Sequence, residues 1–94
     1  MTDLPTVDVD SVKTALRIDT TADDEMIQSY INTAKDYVAK AVDSKKTIED
    51  FMKLNRFRLA VLLLVQFWYS NRNTDMKQTP YQVVSLIQQL RSEN

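Results

Sequence analysis

The chain has no cysteine, no histidine and no glycine among its 94 residues, and only two prolines. Without cysteine there are no disulfides, no zinc-thiolate sites and no thiol nucleophile. Without histidine the commonest general base and the commonest metal ligand are missing. Without glycine no Gly-rich phosphate loop exists, and a tight turn needing positive φ falls to Asn or Asp or is avoided. These gaps disfavour an enzyme and a hairpin-rich β fold, and they favour helices joined by plain loops. No cofactor and no metal is expected.

Net charge is also small, at −1, which argues against a general nucleic-acid binder held by phosphate neutralisation. The balance is uneven along the chain. Residues 1–25 hold Asp3, Asp8, Asp10, Asp19, Asp23, Asp24 and Glu25 against Lys13 and Arg17, a net of −5, which leaves +4 for the remainder. Helix-start chemistry with a solvated tail accounts for this acidic front. So does a surface complementary to a basic one on a neighbour. Asp23, Asp24 and Glu25 point in different directions in a first helical turn, so the macrodipole explains them better than acid–base or metal chemistry does.

Apolar residues make up 44% of the chain, enough for one core and a single domain over residues 1–94. They are concentrated in the unbroken run from Leu59 to Val65. A helix apolar all round has to be covered all round. A membrane span needs roughly 20 apolar residues, and Arg56, Arg58 and Gln66 interrupt the stretch well short of that. Met1 to Pro5 lacks the basic start and apolar stretch of an export signal, so the chain reads as cytosolic where it is made. A short chain has little core in which to wrap such a helix. The cover is therefore expected to come partly from another copy or another protein.

Periodicity predicts an all-α fold, a small bundle of about four helices with one long central apolar helix. The first runs from about Val9 to Arg17, capped by Asp8 or Asp10. The second follows Thr21-Ala22-Asp23-Asp24 and carries Ile27, Tyr30, Ile31, Ala34, Tyr37, Val38, Ala41 and Val42 at three- and four-residue steps. After a polar joint from Asp43 to Lys46, Thr47-Ile48-Glu49-Asp50 repeats the cap-and-acid pattern, and a third helix is expected from Ile48 to Asn71. At about 100° per residue, Phe57, Val61, Leu64 and Trp68 share its core face. Met52, Leu59 and Leu63 lie on the opposite, polar side with Arg56, Gln66 and Ser70. Contact with a neighbouring subunit and contact within the chain both explain that stripe. After a loop, Thr79-Pro80-Tyr81-Gln82 opens a fourth helix with Val83, Leu86, Ile87 and Leu90 on one face. The expected core anchors are Ile27, Ile31, Phe57, Val61, Leu64 and Trp68. Trp68 serves either the core or an interface, Tyr69 is aimed at a neighbour, and Arg72 offsets the dipole at the helix end or bridges to an acid of another subunit.

Three segments together resemble the head–tail connector (head-completion adaptor) proteins of tailed bacteriophages. They are Leu16-Arg17-Ile18-Asp19 with Asp23-Asp24-Glu25 and the apolar pattern from Met26 to Val38; Ala60 to Val65 followed by Trp68-Tyr69 and Asn71-Arg72; and Pro80-Tyr81-Gln82-Val83-Val84 leading to Leu86-Ile87 and Leu90-Arg91. The Trp-Tyr-x-Asn-Arg ending is the most specific piece. The resemblance implies an all-α virion protein with no catalytic residues, made in the host cytoplasm and placed at the neck. It implies self-assembly into a twelve-fold ring below the portal protein, which continues the DNA channel and receives the tail or a second connector. Genomic DNA then passes without sequence-specific binding, and no membrane is involved. The expected contact residues are Met52, Arg56, Arg58, Leu59, Leu63, Tyr69 and Arg72.

The rival reading is a small helical DNA-binding or regulatory adaptor protein. Its recognition helix would be Pro80 to Arg91, which offers Gln82, Gln88, Gln89 and Arg91 and little positive charge to hold phosphate. Both readings share one expectation: circular dichroism should show a chain at least about two-thirds helical without sheet. A spectrum dominated by β signal would refute the fold class.

Overall fold

A computed structural model of the chain describes residues 7–42, 47–71 and 79–93. The expected polar joint at residues 43–46 and the loop at 72–78, with Arg72, lie outside the described residues, as do residues 1–6. The fold is all-α. Among the described residues there are five helices and no strand: α1 Val9–Leu16, α2 Asp24–Val42, α3 Ile48–Phe51, α4 Asn55–Ser70 and α5 Tyr81–Glu93.

Each helix start follows from its local chemistry. Asp8 caps α1 in a capping box: its carboxylate accepts from the Ser11 amide at 2.8 Å, and its own amide donates to the Ser11 hydroxyl at 3.0 Å. The Ser11 amide first, and then the Ser11 side chain, by hydrogen-bonding the Asp8 carboxylate hold that carboxyl below its ordinary value. A lowered carboxylate pKa strengthens the folded state above the ordinary carboxylate range, and the gain is lost as pH falls through the lowered value. Thr47 caps α3 by accepting from the Asp50 amide at 3.1 Å. The α1 helix ends at Arg17, which takes the left-handed conformation (φ 59°, ψ 45°) and donates its amide to the carbonyls of Lys13 and Thr14. A chain without glycine has to use another residue there, and here it is an arginine rather than Asn or Asp.

The core is one cluster drawn from every helix. α4 packs most extensively against α2 and α5, and α1 and α3 close over α2. Ile27, Ile31, Phe57, Val61, Leu64 and Trp68 are all buried, with Val12, Ala34, Val38, Phe51, Ala60, Val65, Val83 and Leu90. Tyr30 meets Trp68 edge to face with ring centroids 5.9 Å apart, a favoured aromatic arrangement. No helix among the described residues is long and apolar enough to cross a membrane.

One expectation is corrected. The single helix from Ile48 to Asn71 is two helices, α3 and α4, separated by Met52, Lys53 and Leu54. Leu54 is extended (φ −98°, ψ 125°) and makes no side-chain cap. The cause is visible in the core. Phe51 and Phe57 are both fully buried and stack with centroids 5.0 Å apart and planes 16° apart. In a continuous helix six residues span about 9 Å of axis and point about 120° apart, so both rings could not face each other in one core. The break folds α3 back and brings them together.

Arg17 yields a prediction. A left-handed L-residue with a Cβ costs roughly 1–2 kcal/mol, and Arg17 is exposed. Arg17→Gly is expected to raise stability in urea denaturation by up to about 1 kcal/mol, the remainder offset by the greater freedom of glycine when unfolded. Arg17→Val is expected to lower it. A loss on Arg17→Gly would mean that the arginine side chain contributes more than its backbone costs.

Candidate assembly surface

The surface of interest is the side of α4 that faces away from the core. Phe57, Ala60, Val61, Leu64, Val65 and Trp68 are buried. Leu59, Leu62 and Leu63 are only half-buried, and Arg56, Gln66 and Ser70 on that side are exposed. Leu62 and Leu63 pack in part against the core, whereas Leu59 is not among the side chains packed on it. The all-round apolar helix is thus covered by α2 and α5 on its inner side and left incompletely covered outside.

The sequence-derived contact residues separate into distinct settings. Leu59 and Leu63 lie one turn apart on the outer face of α4. Met52 lies outside α4, in the turn before it, half-buried and packed against the core. Arg56 is exposed on the first turn of α4. Arg58 is half-buried and donates to Asn55 Oδ1. Tyr69 donates its hydroxyl to Asp23 Oδ2 at 2.7 Å, so its polar end serves the chain's own α2 start while its ring packs on the core. Arg72 lies outside the described residues.

Two acids of the N-terminal front have partners on other helices. Asp23 receives Tyr69, and Asp24 pairs with Lys13 at 2.9 Å. Together they fasten α1, the start of α2 and the end of α4. Asp8, Asp10, Asp19 and Glu25 are exposed. Among the described residues no group of three or more acids forms a candidate metal site.

Two features were not singled out from the sequence. One is an open cleft of about 330 Å³ between α4 and α5, lined by Leu63, Gln66, Phe67, Ser70, Asn71, Pro80 and Gln82. The other is Tyr81, which is 81% exposed on the first turn of α5. The helical period already sets Tyr81 opposite Val83, Ile87 and Leu90, so its exposure was available to sequence reasoning. The cleft was not, because it depends on how two helices meet. Thr79, expected as the cap of α5, shares a hydrogen bond of 2.9 Å with the Tyr37 hydroxyl and so ties that helix start to α2.

The chain belongs to the phage gp6-like head-tail connector protein family, whose model matches residues 6–91 of its 94. The comparisons with curated proteins and with solved structures returned no match. The family is structural and not enzymatic. Membership makes the chain a virion component of the head–tail junction that meets other phage head and tail proteins. It also decides between a connector and a small DNA-binding regulator in favour of the first.

The Tyr69–Asp23 bond is testable apart from any assembly. A hydrogen bond to a charged group contributes about 1.5–3 kcal/mol when buried, and this one is partly exposed. Tyr69→Phe keeps the ring and is expected to cost about 1–2 kcal/mol in denaturant unfolding. Unchanged stability would show that the contact contributes nothing to the fold.

Proposed function

We propose that copies of this chain assemble as a ring beneath the portal, twelve-fold in the particle. The ring extends the DNA channel and offers its far side to the next connector or the tail. DNA passes through it without sequence-specific contact. The observation that carries this reading is the outer face of α4, where Leu59 and Leu63 stand one turn apart and half-buried on a helix that one chain does not cover. A neighbouring subunit would complete the burial. Apolar contacts desolvated near the middle of an interface dominate association energy. Exposed Arg56 supplies a cation beside that face, and Asp8, Asp10, Asp19 and Glu25 supply exposed acids on α1, on the start of α2 and between them. Attraction between the two sets in adjacent subunits would steer encounter.

The test is incorporation of variants into particles, with the ring below the portal counted by electron microscopy. Leu59→Gln touches no core side chain, so helicity and melting temperature should stay near wild type while incorporation is lost. Arg56→Glu should slow assembly, with the effect fading as salt shortens the reach of the charge. A folded Leu59→Gln protein that is incorporated normally would place the subunit contact elsewhere.

A further inference from the structure

α1 is a self-contained helix. Asp8 and Ser11 cap its start, and the Arg17 amide closes its end on the Lys13 and Thr14 carbonyls. The backbone hydrogen bonds described for residues 8–18 all stay within that segment. Side chains seat it on the rest of the molecule. Val12 is fully buried, and Val9, Leu16 and Ile18 pack against the core. The Lys13 side chain is 15% exposed and reaches Asp24 Oδ1 at 2.9 Å, an oxygen shielded from water. The hinge that follows is strained, since Arg17 is left-handed at φ 59°.

We propose that α1 is exchanged between two copies of this chain, each α1 docking on the α2 and α4 of the other in a closed two-fold dimer. The seat selects its occupant. It takes an apolar knob of valine size and, at the next residue, a cation for the Asp24 oxygen. A helix without that cation would leave a carboxylate oxygen buried and unpaired. The α1 of a second copy carries the same Val12 and Lys13, so exchange keeps every docking contact. The hinge favours exchange. Redirecting the chain at Arg17 releases that residue from the left-handed region, and water takes the carbonyls freed at this exposed helix end. At the lower end of the usual cost, release is worth about fivefold per chain, or about thirtyfold for the two hinges of a dimer. Opposing it is the effective concentration of a helix tethered to its own seat, about 1 mM for a short linker. The balance is a dissociation constant on the order of tens of micromolar. Reach permits the crossing. The connection from Arg17 to Asp23 spans about 24 Å when extended, and it ends at the start of α2, where the seat lies. The exchange rests on α1 and its seat and not on the ring.

Two charge reversals, Lys13→Glu and Asp24→Lys, test this because they complement each other only across copies. Within either variant, docking α1 sets like charges together. In an equimolar mixture, α1 of the Lys13→Glu chain meets the new lysine of the Asp24→Lys chain, and Lys13 of the latter meets Asp24 of the former. Sedimentation equilibrium at about 100 μM is expected to give each variant alone the 10.9 kDa of one chain and the mixture nearly twice that. Adding Val12→Asp to both chains should return the mixture to monomers, with circular dichroism retaining the signal of α2, α4 and α5. The wild-type chain refolded from urea at about 1 mM should contain dimer, and Arg17→Gly should weaken its association about thirtyfold. A mixture that stays at the mass of one chain, a mass beyond two chains, or a dimer that survives Val12→Asp overturns the proposal. So does a wild-type chain wholly monomeric at about 1 mM, or an association that Arg17→Gly leaves unchanged.

Discussion

Covering α4 is the requirement on which the rest of this structure depends. Its sequence is apolar on every side between Leu59 and Val65, and no helix of that kind is stable in water uncovered. The long α2 and the C-terminal α5 pack on it from two directions, and small side chains help them approach, since Ala60 on α4 and Ala34 on α2 are both fully buried. Among the described residues α1 also touches α4, yet Leu59, Leu62 and Leu63 stay only half-buried.

Polar contacts fasten the bundle at one end. Lys13 reaches Asp24, and Tyr69 reaches Asp23. These bonds join the end of α1, the start of α2 and the end of α4. The start of α2 gathers partial positive charge from its free amides, so acids there are favoured by the helix itself. Use of the same acids as acceptors for side chains on other helices converts local capping chemistry into tertiary orientation. The acids that remain exposed are those with no helix packed over them. Among the described acids of the front, Asp23 and Asp24 are held by other helices, Asp8 caps α1, and Asp10, Asp19 and Glu25 are exposed.

Helix starts, helix types and the inward faces were legible in the sequence because each depends on residues three or four apart. Asp8 with Ser11, Thr47 with Asp50, and the spacing of Ile27, Ile31, Ala34 and Val38 are local patterns, and all-α architecture follows from them together with the lack of glycine. Membership of the connector family was legible too, since it rests on ordered segments along nearly the whole chain. The partners of Tyr69 and Thr79 were not. Tyr69 lies 46 residues from Asp23, and Thr79 lies 42 from Tyr37, so no periodicity relates them.

The division between α3 and α4 belongs to tertiary structure for the same reason. Met52-Lys53-Leu54-Asn55 has no proline and no glycine, and only Asn55, a residue that favours helix starts, weakens the helical reading of the segment. The stack of Phe51 on Phe57 overrides that propensity, because both rings gain more from a shared core than one extra turn of helix returns. The break places Met52 outside the helix that carries Leu59 and Leu63. The sequence by itself determined the helical segments, apart from the break between α3 and α4, and which stretch is too apolar to stand alone, since those are matters of local spacing and composition. Only the packing of the helices decided how far the other side of that helix is covered, because burial is a property of what lies opposite and not of the residue.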